Sequence, residues 1–198
     1  MSLDLILASS SSSRNRLLVN AGVRFRAVSP GIDEDVIKRE GQLNQQRPNE
    51  VAEMLAKAKA FNVGKKYKQA TVIGSDQILF CNGDWFDKPA NLDIAQKQLE
   101  RLSGQVHQLV NATVIIQNNM VVWTHQNIIS VEMCNLSPNL IDKYLAKEGK
   151  GARESVGAYK LEGRGVQLLK EVDGDFFSIL GLPMLPLLSF LREQGLLS

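Results

Sequence analysis

The chain has 198 residues, 44% of them hydrophobic and 22% charged, with a net charge of +2. These are the values of an ordinary globular chain long enough to bury a sizeable core, and so small a net charge argues against broad nucleic-acid binding. No apolar run reaches membrane-spanning length and no signal-peptide pattern opens the chain, so the expected compartment is the cytoplasm. Cys81 and Cys134 form no CxxC pair, and with only His107 and His125 available a zinc site built mainly from Cys and His is disfavoured.

Leu3, Leu5, Ile6 and Leu7 form a short apolar run that predicts a strand. A small polar loop, Ser9 to Arg14, follows, and then a helical pattern through Leu17, Leu18 and Ala21. Strand, serine loop and helix together aim hydroxyls and backbone N–H groups at one point. The positive end of the helix dipole and the planar fork of Arg14 favour an oxyanion there. A serine-rich N-cap and turn would give the same sequence without any ligand. Lys38 to Pro48 is polar and predicts a mobile loop, with Pro48 in the first turn of a helix over residues 49–66. Residues 70–75 predict a buried strand, and Asn82-Gly83 predicts a tight hairpin turn between Ile78–Cys81 and Trp85–Phe86. An amphipathic helix is expected over 92–102, then strands over 106–117 and 120–133 joined by Asn118-Asn119. Ser137-Pro138 opens a helix that Gly149 ends, residues 151–182 are glycine-rich and irregular with short strands, and Pro183 starts a last helix. This order predicts one α/β domain over residues 1–198, a mixed sheet with helices on its faces.

Some charged residues stand in apolar surroundings. Lys59 lies one helical turn after Leu55 and one before Val63, so it either snorkels outward or meets an anion. Asp76 follows Val-Ile-Gly-Ser and precedes Gln77 and Ile78, where an ionised carboxylate needs a partner, a metal or a solvated cleft, unless it caps a turn. Asp33-Glu34-Asp35 is either a hard-cation site or a solvated acidic turn. Lys88-Pro89 presents a loop lysine, and Glu162 lies in a glycine-punctuated loop. His107 reads as a structural or capping residue, not a general base.

In order along the chain, these segments resemble the Maf family of nucleotide pyrophosphatases: Leu7-Ala8-Ser9 to Arg14, Asp33-Glu34, Lys59-Ala60, Gly74-Ser75-Asp76-Gln77, Lys88-Pro89, Ser103-Gly104 with His107, Gly157-Ala158-Tyr159 to Gly165, and Gly181-Leu182-Pro183. The resemblance runs from Leu5 to about Arg192. It implies an elongated α/β fold with two lobes around a deep cleft, related to the ITPase-like enzymes, often as a homodimer. The implied reaction is cation-dependent hydrolysis of a nucleoside triphosphate to the monophosphate and pyrophosphate, a house-cleaning role. Asp76 matches the general base. Ser9, Arg14, Lys59 and Lys88 match phosphate-binding positions. Glu34 matches the motif's glutamate. Glu34 and Asp76 are the best metal-side carboxylates for Mg²⁺ or Mn²⁺, with Co²⁺ as a further option, because such cations take oxygen ligands plus water. The pattern departs from the family at Ser11-Ser12-Ser13, where Ser-Pro-Arg is common, and at Asn111-Ala112, where Thr-Gly is common.

The positions matched by Ser13, Gln77 and Glu162 vary with the preferred base. Gln77 and Glu162 resemble the branch that prefers 7-methyl-GTP, whereas Ser13 is typical of neither branch. A carboxylate at Glu162 suits the N–H donors of guanine or a cationic methylated purine. The alternative is a non-catalytic nucleotide- or nucleic-acid-binding regulator of cell division. A serine hydrolase using Ser9 lacks the G-x-S-x-G elbow.

Overall fold

The computed structural model describes residues 4–197, and Leu3 of the first predicted strand lies outside them. A short strand β1 (Leu5–Leu7) pairs in parallel with β2 (Arg26–Ala27) on one side and β3 (Thr71–Cys81) on the other. Strand β3 turns at Asn82-Gly83 into the antiparallel β4 (Asp84–Phe86). Strands β5 (Val106–Gln117), β6 (Met120–Met133) and β7 (Leu169–Asp173) complete a mixed sheet of order β2-β1-β3-β5-β6-β7. Both tight turns carry positive φ at their central residues, 50° and 89° at Asn82 and Gly83, and 48° and 59° at Asn118 and Asn119. That conformation matches the twist of a hairpin, and asparagine and glycine adopt it most readily. The helices are α1 (Ser12–Asn20), α2 (Glu34–Leu43), α3 (Pro48–Gly64), α4 (Leu92–Leu102), α5 (Pro138–Glu148), the short α6 (Phe176–Ile179) and α7 (Met184–Glu193). The mixed α/β class expected from the element order is the one observed.

The chain forms two compact units. The first holds everything up to Gln77, then Asn111–Asn127, and the chain from Gly181 on. Its core is built on Ile6, Leu7, Leu18, Leu55, Ile73, Ile115 and Ile116, all essentially inaccessible. The second holds Ile78–Val110 and Ile128–Leu180. Its core includes Leu79, Leu99, Leu102, Ile129 and Met133. Each such side chain contributes roughly 1.5–3 kcal/mol by leaving water. Strands β3, β5 and β6 are long enough to supply residues to both units. Cys81 and Cys134 are free thiols, and burial pushes that of Cys81 up. No helix among the described residues is long and apolar enough to cross a membrane.

Three expectations need correction. The stretch Lys38 to Pro48 is not one loop, because α2 takes in Lys38 to Leu43 and α3 begins at Pro48, which leaves only residues 44–47 between them. The Asp33 carboxylate caps α2, accepting from the backbone N–H of Asp35 at 3.1 Å and Val36 at 3.2 Å, and Glu34 and Asp35 complement the helix dipole. Only Gly41 of this helix is buried, which is why no apolar stripe announced it. Second, the predicted strand over 70–75 does not end at Ser75: β3 runs without a break through Asp76 to Cys81. Third, residues 151–182 are mostly single 3-10 turns, with β7 as their one strand and α6 after it.

Candidate active site

Strand β1 is paired with β3 only as far as Leu7 and Ile73, with Ala8 N donating to the Ile73 carbonyl at 2.8 Å. Beyond that point β3 carries on without β1, whose chain turns away at Ser9. Ligand sites in parallel α/β sheets form at such strand ends. Ser11 caps α1 by accepting from Arg14 N at 3.4 Å, and no acidic residue stands in the first turn to compete with an anion. Ser9 Oγ accepts from Ser11 N at 3.2 Å and from Arg14 Nη1 at 3.5 Å. An open depression of ≈ 680 Å³ borders the same loop, lined by Ser9 to Ser12 together with Asn15 and Arg16 of α1.

Helix α3 packs on β3 so closely that a Cβ at Gly74 would lie 2.1 Å from the Ala56 carbonyl oxygen and 2.9 Å from Ala60 Cβ. Only glycine permits that approach. It brings Lys59, on the buried stripe between Leu55 and Val63, over the strand two residues further on, because residues 74 and 76 share a face. Lys59 Nζ donates to Asp76 Oδ1 at 2.6 Å and pairs with Glu34 Oε1 at 2.9 Å. The Lys59 and Asp76 side chains are each 6% exposed, whereas Glu34 is 38% exposed. The snorkelling alternative for Lys59 and the turn-capping alternative for Asp76 are thereby replaced by a buried ion cluster.

Burial pushes the Glu34 carboxyl up, but Lys59, through its charge and its hydrogen bond, together with Lys38 and Arg14, outweighs it and holds Glu34 below the usual carboxylate range. Arg14 is 9% exposed. Burial lowers the pKa of its guanidinium, and the charges of Asp76 and Glu34 oppose that shift. Two carboxylates and two cations therefore balance one another. Asp76 Oδ2 nevertheless remains buried without a hydrogen-bond partner. An unpaired buried carboxylate oxygen is expensive and marks a place for a proton, a cation or a substrate atom.

Of the residues singled out from the sequence, Ser9, Ser13, Arg14, Glu34, Lys59, Asp76 and Gln77 all lie in the first unit. The structure brings Ser9 to Arg14, and Lys59 to both Glu34 and Asp76. Lys88 and Glu162 belong to the second unit, at exposed positions outside helix and strand. His107 is buried inside β5, not at a helix end, with Nε2 sharing a 2.7 Å hydrogen bond with Tyr159 Oη. Its structural reading therefore stands. Thr113 donates to Ser75, Ser75 donates to the Gly181 carbonyl, and that carbonyl also holds Arg14. Ser75 and Gly181 stood only within segments of the family resemblance, with no role, and Thr113 was not singled out. The available signal was a pair of hydroxyls at buried positions in otherwise apolar strands.

Residues 4–194 match the family described as Maf-like protein. The chain is 46% identical over 191 residues to the 7-methyl-GTP pyrophosphatase of Rhizobium meliloti, covering 96% of each chain. It is 44% identical over 190 residues to the nucleoside triphosphate pyrophosphatase of Paramagnetospirillum magneticum, covering 96% of this chain and 98% of that one. Among solved structures, the Staphylococcus aureus Ham1 protein aligns with 67% of this chain and 72% of its own at 15% identity, with a TM-score of 0.43. A match along nearly the whole length, in both the family and its relatives, means that the chain belongs to the Maf-like protein family.

Proposed function

We propose that this chain hydrolyses a nucleoside triphosphate to the monophosphate and pyrophosphate, with 7-methyl-GTP as the preferred class of substrate. The observation that carries this reading is the buried Asp76 carboxylate, tied at one oxygen by Lys59 and unpartnered at the other. Relatives at 44% and 46% identity named for this reaction support it.

Water attacking the α-phosphorus must lose a proton as the new P–O bond forms, and the Asp76 carboxylate is the acceptor. The bond from the α-phosphorus to its bridging oxygen breaks, and pyrophosphate leaves with the negative charge. Arg14, Ser9 and the start of α1 bind phosphate oxygens through charge and hydrogen bonds, with Lys88 as a further cation. Lys59 keeps the Asp76 carboxylate oriented between strand and helix.

A divalent cation fits the donor set, since Asp76 Oδ2 and Glu34 offer the hard oxygen ligands that Mg²⁺ and Mn²⁺ take. Among the described residues no group of three or more His, Cys, Asp or Glu side chains is gathered, so water and substrate phosphates would complete its shell. When bound, it would neutralise charge developing on the phosphates. The charge balance of the protein cluster suits this, because a cation and a polyanion would enter together. Ser13, Gln77 and Glu162 set base preference in this reading, and the working form is a cytoplasmic homodimer.

The test is product analysis with Mg²⁺ or Mn²⁺ on dTTP, UTP, CTP, GTP and 7-methyl-GTP. Monophosphate plus pyrophosphate, with 7-methyl-GTP turned over best, is the expected result. Release of orthophosphate, or no turnover by folded protein, would overturn it.

A further inference from the structure

The Gly181 carbonyl is a meeting point. Arg14 Nε donates to it at 2.9 Å, and Ser75 Oγ donates to it at 2.9 Å. Thr113 Oγ1 in turn donates to Ser75 Oγ at 3.0 Å. Ser75 and Thr113 are fully buried. A carbonyl oxygen has two lone pairs and takes both donors, whereas a hydroxyl has one proton. Because the Ser75 proton goes to Gly181, Thr113 has to be the donor to Ser75. The chain of bonds therefore has one direction, from Thr113 through Ser75 to the carbonyl that also holds Arg14.

Position 181 is fitted to this task. Its φ of +95° is one that L side chains rarely adopt, and a Cβ there would lie 3.0 Å from Arg14 Nε. Alternation along β3 sends Ser75 to the face opposite Asp76, so neighbouring residues serve the two ends of one cluster. Asp76 meets Lys59, and Ser75 meets the carbonyl that fixes Arg14. With Nε held, the guanidinium plane is set and its Nη end is directed to Ser9.

We propose that Ser75 and Thr113 are positioning residues for Arg14, holding the Gly181 carbonyl so that the guanidinium presents its Nη groups to a phosphate. The functional half rests on the nucleotide reading above. The coupling itself does not. Neither hydroxyl needs to touch substrate, and both act through Arg14.

The experiment pairs nitrogen-15 NMR of the Arg14 Nε–H group with steady-state kinetics on Thr113→Val, Ser75→Ala and Thr113→Ser, each checked for folding by thermal melting. In Thr113→Val and Ser75→Ala the Arg14 Nε–H signal shifts and exchanges faster with solvent, while Thr113→Ser keeps the wild-type signal. The kcat/KM of the first two falls about tenfold, the scale of one lost hydrogen bond. In an Arg14→Lys background, Thr113→Val then changes kcat/KM by less than about twofold, because the path it acts through is gone. An unmoved Arg14 signal in Thr113→Val and Ser75→Ala, or an equal loss in both backgrounds, would overturn the proposal. A folded wild type that hydrolyses no nucleotide would overturn the functional half alone, and the Arg14 signal would still decide the coupling.

Discussion

Each unit buries a polar cluster, and the two differ in charge, although each leaves one buried atom, Asp76 Oδ2 and His107 Nδ1, without a hydrogen-bond partner. In the first, Lys59, Asp76, Glu34 and Arg14 are charged, balanced in sign, and leave one buried carboxylate oxygen without a partner. In the second, His107 and Tyr159 share a 2.7 Å hydrogen bond with their rings edge to face, and Tyr144 Oη donates to the Ala158 carbonyl at 3.1 Å. Burial lowers the His107 pKa to about 4 and pushes both tyrosines up, so every member is neutral near pH 7. A neutral cluster joined by hydrogen bonds lowers the cost of burial and holds its surroundings in place. A charged one keeps a capacity to react. Substitutions that separate reactivity from stability test this contrast.

The largest effect is expected at Asp76. Asp76→Asn preserves shape but removes the proton acceptor, so turnover should fall about 10³- to 10⁴-fold, near the upper end for a general base. The melting temperature should hold close to wild type, because Glu34 still pairs with Lys59. Monophosphate release and a melting curve on one sample check both. A variant that kept a tenth of the activity would place the base elsewhere.

Lys59 tests the charge balance. Lys59→Met leaves two carboxylates facing each other without their shared cation, and breaking a buried pair in this way destabilises by about 3–5 kcal/mol. Adding Asp76→Asn and Glu34→Gln to the same chain should restore part of that loss, because no uncompensated charge remains. Chemical denaturation of the single and triple variants measures it. Equal stability of the two would mean that Lys59 serves packing and not charge.

This contrast was only half legible in the sequence. The helix and strand periods placed Lys59 on a buried stripe and Asp76 among apolar residues, so each was visibly in need of a partner. That they meet each other depends on the close approach at Gly74, and no local pattern reports which helix crosses a strand. Helix α2 stayed hidden because a cap at Asp33 and one buried glycine hold it, not an apolar face. Strand β3 was cut short at Ser75 because polar residues inside a strand read as its end. Hairpin turns and the long strands were clear, since Asn-Gly and Asn-Asn fix them within two residues. The Gly181 contacts join residues more than 100 apart, beyond any local signal.

The second cluster has its own pH window. The His107 pKa is depressed from 6.5 to about 4, so the unfolded chain binds a proton that the folded one refuses. Its contribution is fully present above pH 6.5 and is lost as pH falls towards 4, by about 3 kcal/mol in all. Glu34, held below the usual carboxylate range, loses its contribution only at lower pH, as the solution passes down through its folded value. His107→Gln should therefore flatten stability between pH 6.5 and 4, and Glu34→Gln should leave that slope intact. Denaturant midpoints at half-unit steps check it. A wild type with flat stability from pH 6.5 to 5 would show that His107 is protonated in the fold.

The smallest effect is expected at Glu162, three residues after the anchored Tyr159 and itself exposed in a turn. If the neutral cluster only holds this loop, chemistry and support separate cleanly within one short segment. Glu162→Gln removes the negative charge that suits a cationic methylated purine and keeps the shape. The ratio of kcat/KM for 7-methyl-GTP over dTTP should fall about tenfold, the scale of one charge-assisted contact. Melting temperature and the pH 6.5–4 slope should stay as in wild type, because Glu162 belongs to neither buried cluster. His107→Gln should do the reverse, shifting stability while leaving that ratio within about twofold, since supporting groups affect both substrates alike. Should His107→Gln change the ratio as much as Glu162→Gln does, the neutral cluster would be part of base recognition, and the contrast between the two clusters would fail.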